Sequence, residues 1–369
     1  MPALYVHIPF CVSRCDYCDF NRVVYDRSLA DAYLAALEKE ISTRVTDAPT
    51  TIYIGGGTPT SLNREQLEKL FSLFDFLDLS TVVEWTVEAN PGTLSVDKLI
   101  LLRDAGVTRV SLGVQSFRQA GLDTLGRRHS AKAAKMAVAL LQETAFAMSL
   151  DLIFGYPGQT PDDWRDDLQT AVKTGAEHLS CYGLTYADGT PLREKIRRGK
   201  LTALGENAEY ALFALTPTVL ASAGLARYEI SNFARAGKTA RHNLNYWQGG
   251  EYLGVGAGAH SYQSDERFEN YGGVREYIDA IHARGDAVAA VDKISATARA
   301  KECGVIWLRL TDGIDSEQFA RRTGFNLRDL WREQLPELLD GGWLEWRGNF
   351  LRLTDHALPL ADSVLVELV

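Results

Sequence analysis

The chain has 369 residues, 46% hydrophobic and 24% charged, enough for one large domain or two ordinary ones with buried cores and unlike a disordered or fibrous protein. Its 39 basic and 48 acidic side chains give a net charge of −9, which argues against general binding to nucleic-acid phosphates. The first ten residues, MPALYVHIPF, carry no basic leader and no apolar run reaches bilayer-spanning length, so a soluble cytoplasmic protein is expected.

In chain order, strands are predicted at residues 4–8, 51–54, 82–88, 109–112, 147–153 and 177–184. Each reads as apolar and nearly continuous, as in strands buried on both faces. Amphipathic helices fall between them: Leu34, Leu37 and Ile41 repeat at i, i+3, i+7, and Pro161 opens a helix carrying Trp164, Leu168 and Val172. Six such units predict an α/β fold, a partial (β/α)6 TIM-like barrel over residues 1–235. Its chemistry is expected at the C-terminal strand ends, where the loops are polar or glycine-rich. A basic stretch (Arg193, Lys195, Arg197, Arg198, Lys200) reads as a solvated helix face. It is followed by a helix near 207–223 and a segment, 227–262, rich in Gly, Asn and aromatics. The remainder, 236–369, is expected to be a smaller α+β domain, helical and closing in a winged hairpin around Arg347-Gly348-Asn349. The wing lacks a dense basic stripe, so no nucleic-acid partner is assigned.

Cys11, Cys15 and Cys18 crowd into eight residues, too close for a secreted disulfide framework. Three thiolates on one short loop can hold three corners of a cubic iron–sulfur cluster and leave one iron open. Structural zinc needs four closed ligands, and no partner Cys pair exists elsewhere. Gly55-Gly56-Gly57-Thr58-Pro59 after the second strand permits close backbone approach to a ligand, or is simply a turn. Glu88 and Asp151, at the ends of apolar strands, need a ligand or a partner; the alternative is that each caps the next loop.

The CxxxCxYC spacing at the end of a first strand resembles the radical S-adenosylmethionine (SAM) superfamily, in which SAM binds the open iron of a [4Fe–4S] cluster. The resemblance implies one-electron reduction of the sulfonium. It also implies SAM contacts at Tyr5, Tyr17, Gly56, Gly57, Thr58, Glu88, Gln115, Arg127, Asp151 and Thr185. The runs YVHIPFC, GGGTPT, SLGVQSF (111–117) and DLIFGYPGQT (151–160) further resemble the oxygen-independent coproporphyrinogen III dehydrogenase family. Two departures stand out: that family carries another cysteine where this chain has Phe20, and it has an N-terminal extension before the first strand.

His242-Asn243-Leu244-Asn245-Tyr246-Trp247 matches the HNxxYW signature of the HemW-type haem chaperones within this family. The resemblance implies haem as cargo, delivery to acceptors such as respiratory cytochromes, a homodimer, and peripheral membrane contact through partners. An imidazole can ligate haem iron with Tyr246 and Trp247 packed on the macrocycle. The alternative is that His242 and Asn243 pin a loop to the barrel while the two aromatics fill core. His260 is a weaker ligand candidate, and His7 is expected to orient the cluster or SAM. Cys181 and Cys303 read as inert core thiols, and the remaining histidines show no ligand spacing. The competing readings are oxidative decarboxylation of coproporphyrinogen III and, behind it, radical chemistry on another tetrapyrrole.

Overall fold

The computed structural model describes residues 3–369. Residues 1 and 2, counted above into the first domain, lie outside the described residues. Among the described residues the main sheet has nine strands: β1 (Ala3–Ile8), β2 (Thr51–Gly56), β3 (Glu84–Ala89), β4 (Arg109–Gln115), β5 (Ala147–Phe154), β6 (His178–Gly183), β7 (Ala226–Arg227), β8 (Asn232–Ala234) and β9 (Leu253–Val255). Their spatial order is β9-β1-β2-β3-β4-β5-β6-β8-β7. Every pairing from β9 through β6 is parallel; β8 pairs antiparallel with both β6 and β7. The two edges do not pair with each other, so the barrel is open. All six predicted strands are present. The predicted helices are too, as Arg27–Arg44, Pro161–Lys173 and Glu206–Ala221, the last with Pro217 inside it.

The strands are not apolar on both faces, as expected above. Leu4, Val6, Ile8, Ile52, Ile54, Trp85, Val87, Val110, Leu112, Leu150 and Leu152 point outward into the core beneath the helices and are buried. Each such side chain contributes roughly 1.5–3 kcal/mol on burial. The alternate positions are polar: Thr86 and Glu88, Arg109 and Ser111, Ser149 and Asp151, His178, Ser180 and Tyr182 all line a central cavity. A packed TIM barrel fills its interior with branched apolar residues; here the period-two alternation of the strands instead builds a polar shaft.

The sheet also continues beyond residue 235. Leu253–Val255 pairs with β1, and Leu253, Val255, Ala257, Val274, Tyr277, Ile281 and Ala287 belong to the barrel core. Buried Glu40, on the helix Arg27–Arg44, explains how this segment is held. Its carboxylate accepts from the Gly256 amide (2.8 Å), the Tyr277 hydroxyl (2.7 Å), Asn270 Nδ2 (2.7 Å) and Arg44 (2.9 Å). A second hydrophobic cluster begins at Ala300. Barrel-core residues thus run past 235/236 to Ala287, while Tyr228, Ile230, Leu244 and Trp247 pack against the second cluster. The terminal hairpin, Leu344–Arg347 with Phe350–Leu353, is present, and Ile314–Asp315 adds a third strand to it.

Candidate functional site

The C-terminal ends of the parallel strands open into a cavity of about 700 Å³ that runs down the shaft, within the usual size range of ligand sites. Cys11, Cys15 and Cys18 line its mouth. Their loop is fixed at several points. Phe10–Cys11 pairs with Val23–Val24. Asn21 Nδ2 donates to the carbonyls of Ala257 (3.1 Å) and Gly272 (2.9 Å). Asp16 binds Lys195 at 2.5 Å, so at least this member of the basic stretch is not merely a solvated charge.

Two guanidinium groups reach the thiols. Arg22 Nε donates to Cys18 Sγ at 2.9 Å, and its Nη2 donates to the carbonyls of Cys15 (3.2 Å) and Cys18 (2.6 Å). Arg127 Nη1 lies 3.3 Å from Cys15 Sγ. Cys11 Sγ lies 3.6 Å from Thr58 Oγ1, and burial pushes its thiol pKa up. Among the described residues no three His, Cys, Asp or Glu side chains converge as they would on a single ion; a cuboidal cluster instead spreads its thiolates over separate irons. The donor set suits such a group: three sulfurs on one loop, two cations beside them to offset negative charge, and a buried Arg127 Nε without a protein partner.

Behind the thiols, Gly56 has φ +107°, a conformation open mainly to glycine, and a Cβ there would run into the His7 ring. His7 is buried; its Nε2 donates to the Asn21 carbonyl and its Nδ1 accepts from the Tyr5 hydroxyl, each at 2.9 Å. Glu88 accepts from the Tyr53 hydroxyl (2.7 Å) on one oxygen and from the Gly56 amide (3.0 Å) on the other. Burial raises its pKa to about 7, the two hydrogen bonds opposing the shift. Asp151, bonded to Ser111 Oγ at 3.1 Å, is raised to about 6, again by burial. Two carboxyl groups that resist ionisation in one cavity are poised for cationic or hydroxyl-bearing ligands. Gln115 sits at a register shift between β4 and β5 with φ +67°, a strain of about 1–3 kcal/mol for a non-glycine residue.

Of the residues expected to contact SAM, the structure gathers Tyr17, Gly56, Gly57, Thr58, Glu88, Gln115, Arg127, Asp151 and Thr185 around this one cavity. Tyr5 is not brought to its wall. The Tyr5 hydroxyl is used by His7 and its ring stacks on Tyr53, with centroids 6.2 Å apart.

The expected haem residues are placed differently. The helix Arg241–Trp247 closes the shaft opposite the cysteines. Its Arg241 and His242 amides donate to Glu84, which is ion-paired with buried Arg109. His242 is 1% exposed. Its Nδ1 is hydrogen-bonded to Thr51 Oγ1 (2.9 Å) and its Nε2 to the Tyr246 hydroxyl (3.0 Å), and burial lowers its pKa to about 3. Trp247 packs against the C-terminal cluster under Arg309. Only Asn243 of the motif reaches the cavity. In this conformation neither imidazole nitrogen is free for iron, as in the loop-pinning alternative. His260 is exposed. Cys181 and Cys303 are buried, as expected of core thiols.

Sequence reasoning missed Arg22, whose role depends on how the cysteine loop folds. It also missed the shaft residues Thr86, Arg109, Ser111, Ser149, His178, Ser180 and Tyr182, which the two-residue alternation in the strands could have disclosed.

Comparison with known proteins agrees with this architecture. The family model for the radical SAM superfamily matches residues 5–171, and that for the HemN C-terminal domain matches residues 294–360. The chain is 37% identical to the heme chaperone HemW of Bacillus subtilis, over 99% of this chain and 98% of that protein. It is 32% identical to HemW of Escherichia coli, over 98% and 97%. Among solved structures, coproporphyrinogen III oxidase (HemN) of Escherichia coli superposes with a TM-score of 0.87 over 100% of this chain and 90% of that one. At 23% identity that likeness speaks for the fold alone. The chain belongs to the HemW family of the radical SAM superfamily.

Proposed function

We propose that this protein is a cytoplasmic haem chaperone that holds a [4Fe–4S] cluster and SAM in the barrel mouth and delivers haem to acceptors such as respiratory cytochromes. The observation that carries the proposal is the full-length similarity to heme chaperones, with which the HNxxYW segment at 242–247 agrees. Phe20, where the coproporphyrinogen dehydrogenases carry a further cysteine, weighs against the decarboxylase reading.

In this account Cys11, Cys15 and Cys18 ligate three irons, and Arg22 and Arg127 donate to two of the sulfurs. When bound, the cluster supplies an open iron for the methionyl group of SAM and an electron for its sulfonium. Gly56 and Gly57 let the ligand approach the backbone, and Glu88 and Asp151 accept from its ammonium or ribose hydroxyls. Haem ligation by His242 requires release of one of its two bonds, to Thr51 or to Tyr246, and exposure of a ring that is buried, so loading opens the helix Arg241–Trp247. Hand-over to a membrane-bound acceptor occurs by docking; no helix among the described residues is long and apolar enough to cross a membrane.

The test is to incubate the haem-loaded, cluster-reconstituted protein anaerobically with an apo-cytochrome, and in parallel to supply coproporphyrinogen III, SAM and a reductant. Haem transfer without decarboxylation is expected. Decarboxylation without transfer would replace the proposal with the enzyme reading.

A further inference from the structure

The two ends of the shaft are joined by one side chain. β2 sends Thr51, Tyr53 and Gly55 inward at two-residue spacing. Thr51 Oγ1 holds His242 Nδ1 at 2.9 Å. The Tyr53 ring lies against the His242 ring, with centroids 5.2 Å apart and planes 32° apart, while its hydroxyl donates to Glu88 at 2.7 Å. Gly55 faces the same carboxylate, leaving no room for a Cβ. A single tyrosine therefore touches both the carboxylate proposed to bind SAM and the imidazole proposed to bind haem.

We propose that Tyr53 is a positioning residue that couples occupancy of the SAM site to release of the His242 helix. The inference rests on the binding reading given above. A SAM ammonium or ribose hydroxyl that engages Glu88 competes with the Tyr53 hydroxyl for the same oxygens. A tyrosine that loses this acceptor must seek another, and its ring, wedged between Tyr5 and His242, cannot turn without disturbing the imidazole. The carboxylate thus has two arrangements, one bonded to Tyr53 and one to ligand, and these bias the helix differently; such a two-state element is what physical coupling between sites requires. SAM then favours the haem-accepting state. By linkage, haem tightens SAM by the same factor.

The experiment measures haem affinity of the cluster-reconstituted protein with and without SAM, in wild type and Tyr53→Phe, which keeps the ring and deletes the hydroxyl. Amide exchange of residues 241–247 is followed on SAM addition in the absence of haem. In wild type, SAM is expected to tighten haem by about fivefold or more and to accelerate exchange in this helix. In Tyr53→Phe both ligands still bind, the affinity ratio falls to one and the exchange response disappears. A purely structural role would weaken binding or stability but leave the ratio intact. A Tyr53→Phe protein with the wild-type ratio, or a wild type whose helix and haem affinity ignore SAM, overturns the proposal. The wild-type exchange measurement decides even if the variant does not fold. The exchange response without any haem binding would sink the chaperone reading and leave the coupling standing; haem binding without the response would do the reverse.

Discussion

The substitution Glu88→Gln should remove most of the pH dependence of SAM binding. In the free protein burial holds Glu88 protonated up to about pH 7, against an ordinary 4.5, a difference of roughly 3 kcal/mol between its two protonation states. A cationic ligand binds the ionised form, so affinity must fall as pH drops below about 7. Between about pH 8 and 5.5 one such proton weakens binding roughly thirtyfold. Stability runs the other way. The raised folded pKa means that this group's contribution is fully present below about 4.5 and is lost as pH rises through about 7, so the ligand-free protein gives up stability over that window. The glutamine amide of the variant cannot ionise. It also has one acceptor oxygen, whereas the native carboxylate serves Tyr53 and Gly56 with two, so one donor is orphaned at about 1–3 kcal/mol. Equilibrium dialysis of radiolabelled SAM against the anaerobic, cluster-loaded protein from pH 5.5 to 8 reads the slope directly. The variant should bind more weakly at pH 8 and lose most of the slope, retaining a shallower one from Asp151. A variant with the full wild-type slope would refute the assignment of Glu88 as the titrating contact.

Other outcomes follow from the same geometry. Cys15→Ser should abolish the near-ultraviolet and visible absorbance of the reconstituted cluster while leaving the fold intact by circular dichroism; an unchanged spectrum would contradict three-cysteine ligation. Arg22→Gln removes a cation from Cys18 Sγ and is expected to lower the cluster's reduction potential and speed its loss in air, measured by redox titration and decay of absorbance; both unchanged would show Arg22 to be a loop brace only. Glu40→Ala leaves Arg44, Asn270, Tyr277 and the Gly256 amide without their shared acceptor and should cost about 3–5 kcal/mol in denaturant unfolding, a loss under about 1 kcal/mol contradicting the role given to this carboxylate.

The strands, the cysteine loop and most of the residues gathered at the cavity mouth were legible because each lies at or near the end of a strand with a strong local pattern. The polar shaft was not, although R-V-S-L-G-V-Q at 109–115 alternates strictly. Small hydroxyl residues between valines and leucines pass as apolar when a run is read for its average character rather than its period. Leu253–Val255 is too short to announce itself and pairs with β1 from far along the chain, so only the tertiary register shows that the barrel extends past residue 235. The HNxxYW segment was legible as a motif, but its setting was not. That His242 is held by Thr51 and Tyr246, and pressed on by Tyr53, depends on which residues the distant strand β2 turns inward beneath the helix.

The central claim, that this chain carries haem through the His242 segment, is tested most directly by anaerobic haem titration of the cluster-reconstituted protein, wild type beside His242→Ala, followed at the Soret band. Saturable binding by the wild type, weakened at least about tenfold in the variant with a shifted Soret maximum, is the predicted result. A wild type that shows no saturable binding, or a variant with the same affinity and the same spectrum, would contradict it.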